Sequence, residues 1–119
     1  RLLEEAAKYL GTPYVWGGYS PSGFDCSGFV SYCLTNSGVR NTGRLTAQGL
    51  YNICTPVSQS EAQPGDLIFF TGTYDAGEPV THIGIYVGND QMIHCGHPVQ
   101  YTSINSPYWQ SHFYGFGRW

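Results

Sequence analysis

Residues 25–34 read DCSGFVSYCL and predict the helix around which the fold is built. The apolar side chains of this stretch recur at helical spacing, at Cys26, Phe29, Val30, Cys33 and Leu34. Such a stripe indicates a helix with one face in a core. Asp25 and Ser27 are typical of a helix start, and residues 36–38, Asn-Ser-Gly, predict its end. Cys26 therefore lies at the N-terminus of this helix.

The rest of the chain shows helices first and strands later. Residues 2–10 have a helical pattern, residues 12–23 an irregular loop rich in glycine and aromatics, and residues 46–51 a short helix. A polar loop is predicted at residues 74–79. Strands are predicted at residues 67–70, 82–87, 91–95, 99–104 and 113–118. This order predicts an α+β fold, with N-terminal helices packed on an antiparallel sheet of about five strands.

Composition and charge narrow the class of protein. The chain has 119 residues, which fits one catalytic or binding domain over residues 1–119. A net charge of -3 gives no electrostatic support for a nucleic-acid or anionic membrane partner. Only 11% of the residues are charged, which suits an exported domain that handles polar, uncharged ligands. Because the chain opens inside a helical pattern, we expect a domain cut from a longer exported protein. We also expect this domain to be a monomer.

The four cysteines predict neither a disulfide framework nor a metal site. The sequence has no C-x-x-C pair and no H-x-x-x-H pair. Residues 94–97, His-Cys-Gly-His, could hold a metal, but further spaced ligands are missing. Cys33 and Cys54 stand in apolar surroundings and are predicted to be small buried hydrophobic residues.

Cys26 is the candidate nucleophile. Unpaired N–H groups and the helix dipole favour negative charge at a helix N-terminus, so a thiol there is expected to have a lowered pKa. The same N–H groups could stabilise an oxyanion. The alternative is a buried structural cysteine, which is the commoner role of an unpaired cysteine.

A thiolate enzyme needs a base and a group that orients the base, and two histidines are candidates. Strand alternation places His82, Gly84 and Tyr86 on one face, and the absent side chain of Gly84 leaves open space beside His82. His94 follows on the returning strand. The alternatives are a strand-edge histidine without a role at position 82 and a half-exposed polar residue at position 94.

Five segments together resemble the NlpC family, which are bacterial papain-like cysteine peptidases of the cell wall. The segments match in order and spacing over nearly the whole chain, and Ser106-Pro107-Tyr108-Trp109 is similar to the closing segment of the family. The five are Tyr14-Val15-Trp16-Gly17-Gly18, Asp25-Cys26-Ser27-Gly28-Phe29-Val30, Pro64-Gly65-Asp66-Leu67, His82-Ile83-Gly84-Ile85-Tyr86-Val87-Gly88 and Met92-Ile93-His94.

The resemblance implies a truncated papain-like fold and a hydrolase of peptidoglycan stem peptides. The bond expected to be cleaved joins γ-D-glutamate to the diamino acid. By position, Cys26 is the implied nucleophile, His82 the base and His94 the polar residue that orients the base. Thiolate chemistry of this kind needs no metal and no cofactor. The implied location is extracellular or in the bacterial cell wall.

The resemblance also implies residues that contact the substrate, each with a plain structural alternative. Tyr14 either contributes its hydroxyl to the oxyanion hole or packs the loop on the helix. Asp25 and Ser27 either receive the free amine of a terminal L-alanine or cap the helix. Trp16 either walls the cleft or is a core residue. Two departures from the family pattern affect the shape of the cleft, namely Cys95 with His97 and an extended loop over residues 74–81.

The register of the hairpin between residues 82 and 97 decides which histidine orients His82. A two-residue loop, residues 89 and 90, would place Ile85 opposite His94 and His97 opposite His82. A three-residue loop, residues 88–90, would pair Val87 with Gln91 and set His94 on the same face as His82. We predict the three-residue loop, because it also turns the apolar side chains of the strand into the core.

Two rival functions remain open from the sequence. One is another enzyme on the same scaffold, such as an amidase or an acyltransferase. The other is a non-catalytic module that binds peptidoglycan. The presence of all three residues Cys26, His82 and His94 argues against the binding module, since a binder needs none of them.

Overall fold

The computed structural model describes residues 1–75 and 77–119, which fold into helices and an antiparallel sheet. The helices are α1 (Leu2–Ala7), α2 (Cys26–Asn36), α3 (Ala47–Ile53) and α4 (Pro107–His112), with a 3₁₀ turn at Gln59–Glu61. The strands are β1 (Tyr19–Ser20), β2 (Gly23–Phe24), β3 (Thr55–Val57), β4 (Leu67–Thr71), β5 (Val80–Gly88), β6 (Gln91–Cys95), β7 (Val99–Ser103) and β8 (Phe113–Arg118). No helix of the described part is long and apolar enough to cross a membrane.

The main sheet has six strands in the order β3-β8-β4-β5-β6-β7. Helices α1, α2 and α3 bury their apolar residues against one face of this sheet, in a core that includes Phe29, Leu67 and Ile83. On the other face, a smaller cluster around Phe70 and Met92 is covered by Trp109 of α4. The predicted α+β class and antiparallel sheet are confirmed. The main sheet has one strand more than expected, namely β3. This strand was not predicted because it contains Pro56, and a proline is accepted only in a strand at the edge of a sheet.

The loop predicted as irregular contains a small two-stranded ladder, β1 with β2, that leads into α2. Asp25 caps α2 by accepting a hydrogen bond from the Gly28 N–H at 2.6 Å. The backbone N–H of Asp25 donates to the Gly18 carbonyl at 3.1 Å. These two bonds hold the loop against the first turn of α2. Both are made by Asp25, the residue just before Cys26.

Gly28 is the closest approach between this loop and α2. A Cβ added at Gly28 would lie 1.9 Å from the carbonyl oxygen of Gly18, which is backbone and cannot move alone. We expect Gly28→Ala to lower the free energy of unfolding by about 3 kcal/mol, the upper range for an overpacked site. Denaturant unfolding measures this change.

The matched control for that prediction is Gly115→Ala in β8. A Cβ at Gly115 would meet no atom within 4 Å, and the residue lies outside the left-handed region. We expect Gly115→Ala to change the free energy of unfolding by at most about 0.5 kcal/mol. Equal denaturation midpoints for the two variants would show that the contact between Gly18 and Gly28 is not tight.

The β5–β6 hairpin has the predicted pairing around His94, but its loop differs from the predicted one. Gly88 pairs with Gln91 around a two-residue turn, Asn89-Asp90, whose φ angles of +52° and +58° suit a tight hairpin. The predicted three-residue loop is therefore wrong. The register shifts at Val87, however, so that Ile85 pairs with Ile93. This bulge restores the predicted placement of His94 beside Gly84, on the same face as His82.

Candidate active site

A cleft of about 450 Å³ opens at the N-terminus of α2, between the loop that precedes the helix and the segment that leads into β5. Its walls come from both segments and from the start of α3. The lining includes Tyr14, Trp16, Asp25, Cys26, Ser27 and Arg44. Five of the seven residues predicted for the site thus line this cleft, and His82 and His94 are not among its lining residues.

Cys26 is the first residue of α2 and is 7% exposed. Its Sγ donates a hydrogen bond to the Thr81 carbonyl at 3.8 Å. Burial, and next the negative charge of Asp25, raise the pKa of the Cys26 thiol to about 11, although nearby backbone N–H groups act in the opposite direction. The predicted lowering of this pKa is therefore wrong for the free protein. The physical reason is that loss of hydration outweighs the helix N-terminus.

His82 and His94 form a hydrogen-bonded pair that extends to a third residue. Nε2 of His82 lies 2.9 Å from Nδ1 of His94, and Nε2 of His94 lies 2.9 Å from Oγ1 of Thr102. Burial, together with the charge of His94, lowers the pKa of His82 to about 3, and burial lowers the pKa of His94 to about 4. Both rings are therefore neutral at neutral pH. The indole of Trp109 stacks on the His82 ring, with centroids 5.2 Å apart and planes at 27°.

The Cys26 thiol contacts the backbone next to His82 but is not hydrogen-bonded to the His82 ring. Within residues 1–75 and 77–119, no hydrogen bond joins Sγ of Cys26 to the His82 ring. The thiol rests on the carbonyl of Thr81, the residue just before His82. Nδ1 of His82 has no hydrogen-bond partner in the described part, where every fully buried side-chain N or O atom has one. Nδ1 therefore keeps contact with solvent and is the ring nitrogen free to accept a proton.

The carboxylate of Asp25 is occupied on both oxygens. Oδ1 accepts from the Gly28 N–H and, at 3.3 Å, from the Ser27 hydroxyl. Oδ2 accepts from Nη2 of Arg44 at 2.6 Å and from the Gly17 N–H at 3.1 Å. Nη1 of Arg44 also donates to the Ser27 hydroxyl at 2.9 Å. The helix-capping alternative for Asp25 is confirmed, and a role in binding an amine stays a prediction.

Two aromatic residues stand at the mouth of the cleft. Trp16 is 72% exposed, so the core alternative for this residue is wrong. Its ring meets that of Tyr74 edge to face, with centroids 5.4 Å apart. The predicted loop over residues 74–79 includes Ala76, which lies outside the described residues.

Tyr14 is half-buried, and burial, followed by the charges of Cys26 and Asp25, raises the pKa of its hydroxyl. The Tyr14 hydroxyl is therefore protonated at neutral pH and can donate a hydrogen bond into the cleft.

The remaining cysteines and histidines lie apart from this cleft. Cys33 is fully buried as predicted, whereas Cys54 is only half-buried. Cys95 is buried and donates to the Phe24 carbonyl at 3.2 Å, and His97 is exposed. In the described part of the chain, no three His, Cys, Asp or Glu side chains are grouped so that they could hold a metal ion.

Sequence reasoning missed Arg44 and Thr102. Arg44 reaches the cleft from the segment before α3, where nothing in the local pattern marks it. Thr102 could have been found from the pairing of β6 with β7, in which His94 lies opposite Gln100. A residue two positions further along β7 lies on the same face as His94, and that residue is Thr102.

Comparison with known proteins gives a family match and several relatives. A model described as the NlpC/P60 family matches residues 11–118. The chain is 44% identical over 119 residues to the bifunctional muramidase/DL-endopeptidase CwlT of Bacillus subtilis, a match that covers 98% of this chain and 35% of that protein. It is 48% identical over 118 residues to a Listeria seeligeri protein named "Probable endopeptidase p60", with 98% and 21% covered.

The solved structures include a similar fold from Staphylococcus aureus. That protein is described as similar to a lipoprotein of the NLP/P60 family, and it superposes with a TM-score of 0.93 at 44% identity. The match covers 98% of this chain and 39% of the other. The chain spans about a fifth to a third of the length of the two curated relatives.

Proposed function

The chain belongs to the NlpC/P60 family, and from that premise we propose that it is a cysteine endopeptidase domain that hydrolyses peptidoglycan stem peptides. The bond proposed to be cleaved joins γ-D-glutamate to the diamino acid. One observation carries the proposal. Cys26 lies in a cleft at the start of α2, and its thiol donates to the carbonyl of Thr81, the residue just before His82. His82 is in turn hydrogen-bonded to His94. The name of CwlT, a DL-endopeptidase, supports the same class of reaction.

The proposed mechanism starts from a neutral thiol and a neutral imidazole, because both pKa shifts favour those forms. Sγ of Cys26 turns from the Thr81 carbonyl toward Nδ1 of His82, which takes the thiol proton as sulfur attacks the γ-carbonyl carbon. His82 then gives this proton to the leaving amine as the C–N bond breaks. Water, activated by His82, hydrolyses the thioester, and the proton returns to sulfur.

The oxyanion formed in both steps needs donors near the start of α2. The backbone N–H of Cys26 has no acceptor among the protein groups of the described residues. Tyr14, whose hydroxyl is protonated at neutral pH, lines the same cleft. We assign these two groups to the oxyanion, since preorganised donors in a site shielded from water contribute strongly to such catalysis.

Substrate contacts are assigned to Trp16, Asp25 and Ser27, all of which line the cleft. The exposed indole of Trp16 offers an apolar wall. An L-alanine ammonium could bind Asp25 and Ser27 only if the guanidinium of Arg44 shifts, because that group now holds both side chains. Export to the cell wall, where this substrate lies, completes the proposal.

The test is mass spectrometry of products from defined muropeptides, presented both sugar-linked and freed from the sugar. We expect a product ending in γ-D-glutamate and a second product with a new amine on the diamino acid. Cleavage between the sugar and L-alanine would instead show an amidase, and transfer of the acyl group to an added amine would show an acyltransferase.

A binding module remains the second candidate, because Cys26 and His82 are not hydrogen-bonded within the part of the chain that the structure describes. Binding of the same muropeptides without any product would establish that function.

Comparing the rates on the freed and the sugar-linked substrate reports whether Asp25 and Ser27 receive the ammonium. Equal rates would leave Asp25 with capping and its ion pair to Arg44.

A further inference from the structure

The His82–His94 pair does not end at His94 but continues to Thr102 in β7. His94 is 4% exposed, and within the described residues the only protein partner of its Nε2 is the Thr102 hydroxyl, at 2.9 Å. The neighbouring Gln100 side chain donates elsewhere, to the Pro98 carbonyl at 2.9 Å. Gly96 leaves room for the ring, since a Cβ there would lie only 3.1 Å from Cε1 of His94.

The direction of the hydrogen bonds in this chain is open while both rings are neutral. In one arrangement, Thr102 donates to His94, His94 donates from Nδ1 to His82, and His82 carries its proton on Nδ1. In the other, His82 donates from Nε2, His94 donates from Nε2 to Thr102, and Nδ1 of His82 holds a lone pair. Only the second arrangement leaves His82 able to accept a proton from Cys26.

Protonation of His82 removes this freedom. An imidazolium carries protons on both nitrogens, so Nε2 of His82 must donate and Nδ1 of His94 must accept. A neutral His94 then carries its own proton on Nε2, a buried nitrogen that needs an acceptor. Oγ1 of Thr102 is the acceptor at the required distance.

We propose that Thr102 is a positioning residue that accepts the Nε2 proton of His94 and so fixes the direction of the hydrogen-bond chain that lets His82 act as a base. The proposal rests on the proposed function for its catalytic consequence, but not for the tautomer that it assigns to His94. Thr102 acts through His94 and touches no reacting atom. Its half-buried position leaves its own hydroxyl proton free to bond to solvent.

The variants Thr102→Val and Thr102→Ser test this assignment. Valine keeps the shape but removes the acceptor, whereas serine keeps the hydroxyl. We expect valine to lower kcat roughly 10–100-fold, the change that corresponds to losing a hydrogen bond that serves a charged group, with KM nearly unchanged. Serine is expected to restore most of kcat.

Imidazole ¹⁵N NMR supplies a readout that does not depend on activity. We expect the wild-type spectrum to show His94 protonated on Nε2 and Nδ1 of His82 unprotonated, and the valine variant to shift both rings toward protonation on Nδ1. A wild-type His94 protonated on Nδ1, or a valine variant with unchanged tautomers and kcat, would overturn the proposal. If no variant hydrolyses peptidoglycan while the tautomers shift as expected, the proposed function fails and the role of Thr102 stands.

Discussion

Replacing Cys26 with serine is expected to abolish hydrolysis of muropeptides, with a loss in kcat of roughly 10⁴-fold or more, and to leave the fold intact. Serine fits the space of the thiol at the start of α2 and keeps a donor near the Thr81 carbonyl, to which the thiol donates at 3.8 Å. A hydroxyl is a much weaker nucleophile toward an amide than a thiol paired with a histidine. Release of the new amine, followed over time, measures the effect.

The controls are Cys33→Ser, Cys54→Ser and Cys95→Ser, whose side chains do not line the cleft. Each should keep substantial activity under conditions where the variant is folded. Wild-type turnover in Cys26→Ser would rule out the thiol mechanism.

Because burial raises the pKa of Cys26 to about 11, the rate of alkylation of Cys26 by iodoacetamide should be low at neutral pH and rise steadily as the pH increases.

The second large effect is expected for His94. Replacing His94 with alanine removes the only protein partner of Nε2 of His82 within the described part of the structure, so the base loses its orientation. We expect kcat to fall by roughly 10²–10⁴-fold, the range of a general acid–base contribution. Steady-state kinetics on one muropeptide, with circular dichroism to verify folding, measure this loss.

Two further variants make the His94 result specific. His97→Ala should change kcat little, because His97 is exposed and takes no part in the hydrogen-bond chain. His94→Asn should retain more activity than His94→Ala, since the amide oxygen can accept the Nε2 proton of His82 from nearly the position of the lost Nδ1. An essential His97 beside a dispensable His94 would contradict both the register of the hairpin and the pairing of the two histidines.

Local patterns were sufficient for the elements that carry the site. The spacing of apolar residues after Asp25 predicted α2 and the position of Cys26 at its start, and the structure begins the helix at Cys26. Strand alternation predicted β6 over residues 91–95 and β8 over residues 113–118, with the bounds that the structure has. These predictions succeed because helix caps and the periods of helices and strands depend on residues adjacent in sequence.

The same reasoning failed where contacts between distant segments decide the outcome. The hairpin loop was predicted too long, because the bulge at Val87 that restores the register of His94 has no signature in the sequence. The ladder of β1 with β2 and the edge strand β3 were also missed. Such short strands form only because a neighbouring segment supplies their hydrogen bonds.

By itself, the sequence determined helix α2, the strands β4 to β8, the place of Cys26 at a helix start and the two histidines on adjacent strands. Only the tertiary structure decided that Arg44 neutralises Asp25, that Thr102 ends the histidine chain, and that Cys26 and His82 rest as a neutral thiol and a neutral imidazole. The physical reason is hydration. The helix N-terminus that favours a thiolate is a local property, whereas the loss of water that outweighs it comes from packing by segments far apart in the chain.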